Sequence, residues 1–219
     1  MPTVLQVEPV SLSGSAGRLE VMVEVPEGAG TPAAFVVVCH PHPLHAGTMN
    51  NKVVTTLARA AHELSIPTIR FNFRGVGGSE GSFDEGRGET EDAMAVVAYG
   101  RQRWPNAQLW LAGFSFGGYV ALRTSTTRGV GTVERLLTVA PALGRNYESP
   151  RQIQVPKCPW LVVQGDADDV VDPHVTIDWV EQLDPVPQLI TLPGVGHYFH
   201  GQLNTLQQHA SRFFLQSRA

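Results

Sequence analysis

From about residue 33 the chain alternates short apolar runs with amphipathic stretches, the pattern of a mostly parallel sheet joined by crossover helices. Ahead of it, two segments with strand character, Val4 to Leu12 and Leu19 to Val25, flank the turn-rich Ser13-Gly14-Ser15-Ala16-Gly17, which predicts a hairpin at the sheet edge. Continuous hydrophobic runs predict strands over 34–39, 66–73, 109–113, 133–140, 160–164 and 188–192, giving a sheet of about eight strands. Helical spacing of apolar residues predicts helices over Asn51 to Leu64, Glu89 to Arg101 with Met94, Val97 and Ala98 inward, Pro173 to Leu183, and Gln202 to Gln216. Asp172 and Pro173 read as the N-cap and first residue of the third of these. Pro141 to Pro159 is short and proline-interrupted, so no helical lid is expected there.

Composition fits this α/β reading and narrows the function. A chain of 219 residues, 42% hydrophobic and 16% charged, is expected to form a single domain with a substantial core. Its net charge of −4 and scattered Lys and Arg offer no basic stripe for nucleic acid and no polybasic face for a membrane, so small molecules are the expected partners. No stretch approaches membrane-spanning length and no charged leader precedes an apolar core, which predicts a cytoplasmic protein. Cys39 and Cys158 lie in apolar runs and are expected to stay reduced. Nothing fixes the oligomeric state.

Candidate chemistry begins at Leu109-Trp110-Leu111-Ala112-Gly113-Phe114-Ser115-Phe116-Gly117-Gly118. An apolar strand here meets helix-forming sequence at once, and a chain reversing that sharply strains the serine and leaves room only for glycine two residues either side, the G-x-S-x-G elbow. A serine hydroxyl needs a base, and His197, on the small-residue loop before the last helix, is the candidate; His200 lies further from the strand. The imidazole needs a carboxylate, and Gly165-Asp166-Ala167-Asp168-Asp169-Val170-Val171-Asp172 offers four. Asp172 is better explained as the helix cap, Asp166 hugs the strand end and Asp169 faces solvent, which leaves Asp168. For the oxyanion, the backbone N–H of Phe116 and that of His42, in Cys39-His40-Pro41-His42-Pro43, are the expected donors, since neither proline has an amide hydrogen. His40, His42 and His45 also raise a metal site, but alternating prolines make a joint chelate awkward, and neither a metal nor another cofactor is expected.

These segments, together with Arg70-Phe71-Asn72-Phe73-Arg74-Gly75-Val76-Gly77-Gly78-Ser79, resemble the α/β-hydrolase superfamily over nearly the whole chain, and most closely its compact lidless bacterial serine hydrolases, distant relatives of dienelactone hydrolases. The order Ser115, Asp168, His197 is the order of that superfamily. The resemblance implies an α/β-hydrolase fold with helices on both faces of the sheet, Ser115 as nucleophile, Asp168 as acid, His197 as base, and His42 and Phe116 as oxyanion donors. Pro41 departs from the commoner glycine, and Ser115 stands where dienelactone hydrolases carry cysteine, which weakens any expectation of dienelactone specificity. Arg74 is a candidate contact for an anionic substrate group, with local carboxylate pairing as the rival. Phe114, Phe116, Tyr198 and Phe199 are expected to line or floor the cleft.

The expected activity is hydrolysis of small carboxylic esters or thioesters through an acyl-enzyme, with short acyl chains preferred and activity lost as the imidazole base protonates. Exopeptidase or acyltransferase action on the same triad, and a ligand-binding relative without turnover, are the rival readings.

Overall fold

The computed structural model describes residues 3–28, 30–144 and 153–216. The hairpin is present: β1 (Leu5–Gly14) and β2 (Gly17–Pro26) pair antiparallel, with Gly14 opposite Gly17 across a two-residue turn. Gly17 takes φ 119°, a conformation that side chains resist.

Six further strands follow in chain order among the described residues: β3 (Ala34–Cys39), β4 (Thr68–Phe71), β5 (Gln108–Phe114), β6 (Arg135–Val139), β7 (Trp160–Gly165) and β8 (Gln188–Leu192). Their order across the sheet is β1-β2-β4-β3-β5-β6-β7-β8, parallel from β4 to β8. β5 lies centrally, and its C-terminal end opens onto the same edge as those of β3, β7 and β8. This is the α/β-hydrolase fold.

Strand alternation divides the core in two. Val37, Leu109, Leu111 and Val162 face one layer, with α2 (Arg87–Arg103), α3 (Phe116–Thr126) and Val180 of α4 (Pro173–Glu181). Val36, Val38, Trp110, Ala112 and Leu161 face the other, with α1 (Lys52–His62) and α5 (Leu203–Leu215). The apolar spacing that predicted α1 and α5 is their buried face.

Two details of the pattern differ from expectation. β4 covers only Thr68–Phe71; beyond it Asn72 bonds Glu20 of the hairpin and Arg74 bonds Asp92 of the second helix. In α2 the inward residues are Ala93, Val96, Val97 and Gly100, while Ala98 is exposed and Met94 only half-buried. That register lets Asp92 bury its carboxylate, and a Cβ on Gly100 would collide with the Phe35 ring. Cys39 is a buried free thiol, its ionisation pushed up by burial, and Cys158 is half-buried.

Candidate active site

Ser115 occupies the single residue between β5 and α3, at φ 55° and ψ −120°, a strained backbone for a residue with a side chain. Surrounding contacts over-determine it. Its N–H donates to the Val139 carbonyl at 2.8 Å, and its carbonyl accepts from Gly118, Tyr119 and Ala142 at 2.9, 3.1 and 3.0 Å. The flanking glycines are steric necessities: a Cβ on Gly113 would overlap the Gly117 carbonyl, and one on Gly117 would overlap the carbonyls of Cys39 and His40. The elbow is thus packed directly against the loop that leaves β3.

The loops after β7 and β8 converge on this serine. His197 Nε2 lies 3.0 Å from Ser115 Oγ, and its Nδ1 lies 2.8 Å from Asp168 Oδ2. A carboxylate beside Nδ1 holds the proton there, so Nε2 is left as an acceptor for the serine hydroxyl. Asp168 Oδ1 accepts from the backbone N–H groups of Val170 and Val171 at 2.9 and 2.8 Å. Burial raises the Asp168 pKa, but the His197 hydrogen bond and these amides outweigh it and hold the carboxyl below the usual range. The neighbouring aspartates have other tasks. Asp166 accepts from Gly194 N–H at 2.6 Å, tying the two loops together, and Asp172 caps α4 through His174 N–H at 3.0 Å. His200 packs on the Tyr198 ring, away from Ser115.

Two residues to which the sequence assigned no part in this assembly support it. Gln164, fully buried at the end of β7, donates from Nε2 to Asp168 Oδ2 at 3.2 Å and to the Gly165 carbonyl at 3.1 Å. His40, also fully buried, bonds the Pro41 carbonyl through Nδ1 at 2.6 Å and accepts from Phe73 N–H through Nε2 at 3.0 Å. Burial lowers its pKa to about 4, so it stays neutral while spanning the two loops. Only its position between an apolar strand and a proline hinted at this; the Phe73 partner is 33 residues away. With both nitrogens spent, His40 is unavailable to a metal, and no group of three or more His, Cys, Asp or Glu among the described residues is arranged to hold one.

His42 follows, its Nδ1 accepting from Leu44 N–H at 3.1 Å and its ring 5.2 Å from that of Phe116. His42, Phe116, Ser115, His197 and Tyr198 share a cavity of about 230 Å³. A larger hollow of about 1030 Å³, near Arg128, Val133 and Pro159, lies at the opposite ends of the strands and contains none of these residues.

Arg74 does not reach the cavity. It is buried in a bidentate ion pair with Asp92 at 2.8 to 3.1 Å and also bonds Ser15 and Glu91, so the local pairing holds and the substrate contact does not. Arg70 and Asn72 likewise serve the fold, with Arg70 paired to Glu24 at 2.7 Å. Phe114 and Phe199 are also not cavity residues: both are fully buried in the core, with the Phe114 ring 4.9 Å behind that of His197.

The family model described as serine aminopeptidase, S33, matches residues 30–156. An α/β serine hydrolase without a lid from Xanthomonas campestris is 42% identical, with a TM-score of 0.87 over 98% of this chain and 97% of that one. Coverage that complete leaves no inserted lid domain, although 145–152, within the stretch expected to be lidless, lie outside the described residues. An uncharacterized protein of Rickettsia prowazekii is 34% identical over 197 residues, 87% of this chain and 81% of its own length. A dienelactone hydrolase from Anabaena variabilis shares the fold at 19% identity, TM-score 0.79, over 96% of this chain and 97% of its own. The chain therefore belongs to the α/β serine hydrolases, in the family described as serine aminopeptidase, S33.

Proposed function

We propose that the protein hydrolyses small carboxylic esters or thioesters through an acyl-enzyme on Ser115. The observation that carries this reading is the continuous relay from Ser115 Oγ through His197 to Asp168, at 3.0 and 2.8 Å, opening into a small cavity. Ser115 Oγ attacks the carbonyl carbon as its proton passes to His197 Nε2. Asp168 stabilises the imidazolium, and the backbone N–H groups of Phe116 and His42 bind the oxyanion. Collapse breaks the ester C–O or C–S bond, the leaving group takes the proton from Nε2, and water then repeats the sequence on the acyl-serine.

The family description favours a second reading, removal of amino-terminal residues from peptides. An aminopeptidase must pair the substrate's α-ammonium with an acceptor, usually a carboxylate. Among the described residues none that lines the cavity is acidic, which favours esters. The proposed reaction takes place within a single domain in the cytoplasm. No helix of the described residues is long and apolar enough to cross a membrane.

The test is hydrolysis of p-nitrophenyl esters. Wild type should turn over the acetate faster than the palmitate, because the small cavity holds a short acyl group, and Ser115→Ala should lower kcat on the acetate by about 10³-fold or more. Equal rates for wild type and Ser115→Ala would refute the reading, and a preference for palmitate would refute the short-acyl assignment.

A further inference from the structure

The cavity over Ser115 carries apolar side chains at Ala142, Val170 and Val171 and polar ones at His42, His45 and Asn51. Asn51 is distinguished by how firmly it is held and by what it leaves unused. It is the N-cap of α1, and its Oδ1 accepts from Val53 N–H at 2.8 Å. An amide is planar, so fixing Oδ1 fixes Nδ2 as well. That nitrogen, with two N–H donors, has no acceptor among the described residues.

The backbone leading to Asn51 is pinned from behind. Arg70 donates to the Met49 carbonyl and to Asn50 Oδ1, while Asn72 Oδ1 accepts from Met49 N–H at 2.9 Å. Asn51 N–H itself bonds the Thr48 carbonyl at 3.0 Å. Arg70 is anchored in turn on Glu24 at 2.9 and 2.7 Å. Arg70 and Asn72 thus act one step back, holding the segment that delivers Asn51 to the cavity. A donor held this rigidly loses little freedom when a ligand binds it, which is the condition for selectivity.

We infer that the Asn51 side-chain amide selects the substrate: esters bearing a second oxygen acceptor, such as an ether, hydroxyl or carbonyl, within a few bonds of the scissile carbonyl, over their hydrocarbon isosteres. The inference rests on the ester-hydrolase reading above. A site that places a fixed donor against a methylene leaves it unpaired, and this penalty discriminates more strongly than a missing apolar contact.

Two isosteric pairs test it, one for each side of the ester: p-nitrophenyl methoxyacetate against p-nitrophenyl butanoate, and 2-methoxyethyl acetate against butyl acetate. Asn51→Asp and Asn51→Ser both retain a side-chain oxygen that caps α1 while removing Nδ2. For each protein the ratio of kcat/KM, ether ester over hydrocarbon ester, is taken on one preparation, so partial misfolding cancels, as does the ether's intrinsic effect on reactivity when variant and wild type are compared. The expected result is a ratio about five- to tenfold lower in both variants than in wild type for at least one pair. Ratios equal to wild type in both pairs would overturn the inference. Failure of wild type to hydrolyse any of the four esters would instead overturn the ester-hydrolase reading, and the inference with it.

Discussion

Arg74 shows why a residue's chemistry does not reveal its use. A guanidinium after a buried strand can bind an anionic ligand or complete a buried carboxylate, and nothing in Arg70-Phe71-Asn72-Phe73-Arg74 distinguishes the two. The partner decides: Asp92 is fully buried 18 residues on, and without Arg74 its charge would lie uncompensated. Breaking such a pair costs about 3–5 kcal/mol. Arg74→Met should therefore lower stability by about that amount, measured by urea unfolding. kcat/KM for p-nitrophenyl acetate, per folded molecule, should stay within about threefold of wild type, and a selective rise in KM for anionic esters would return Arg74 to the site. The meeting of Ser115, His197 and Asp168 was legible because each proposed role demands a residue type at a defined place on the sheet edge. Gln164 and Asn51 were not, since an amide at a strand end or a helix cap has ordinary reasons to be there.

Elements were legible to the extent that burial follows a period. α1 and α5 bury the residues their spacing predicted, because each presents a single apolar stripe to the sheet. α2 did not, since its inward face includes the polar Asp92 and Gly100, which no apolar period marks. The loop after β3 depends on His40, and its titration gives an element-scale prediction. The folded chain keeps His40 neutral down to about pH 4, whereas an unfolded histidine takes up a proton near ~6.5. Between these values the unfolded state binds more protons, so the stability present above about pH 6.5 falls as pH falls, by about 2 kcal/mol at pH 5. Burial lowers the pKa of His62 as well, despite Glu24 beside it, and adds in the same direction. Urea midpoints at pH 7.5 and pH 5 should differ less for His40→Gln than for wild type. Equal differences would mean that His40 is not held neutral by the fold.

For the molecule as a whole, strand order is decisive. Placing β5 at the centre of a parallel sheet brings the ends of β3, β7 and β8 to one edge, so residues 42, 115, 168 and 197 meet although 155 positions separate the first from the last. The sequence of roles along the chain made that meeting predictable, while the size and polarity of the cavity depended on loop geometry that no pattern encodes. The proposed acyl-enzyme requires that their meeting activate the Ser115 hydroxyl, and the most direct measurement is labelling with a fluorophosphonate followed by peptide mapping. Stoichiometric adduct on the peptide containing Ser115, absent from Ser115→Ala and strongly slowed in His197→Ala, is the expected result. Adduct on another residue, or none on folded wild type, would contradict the acyl-enzyme account.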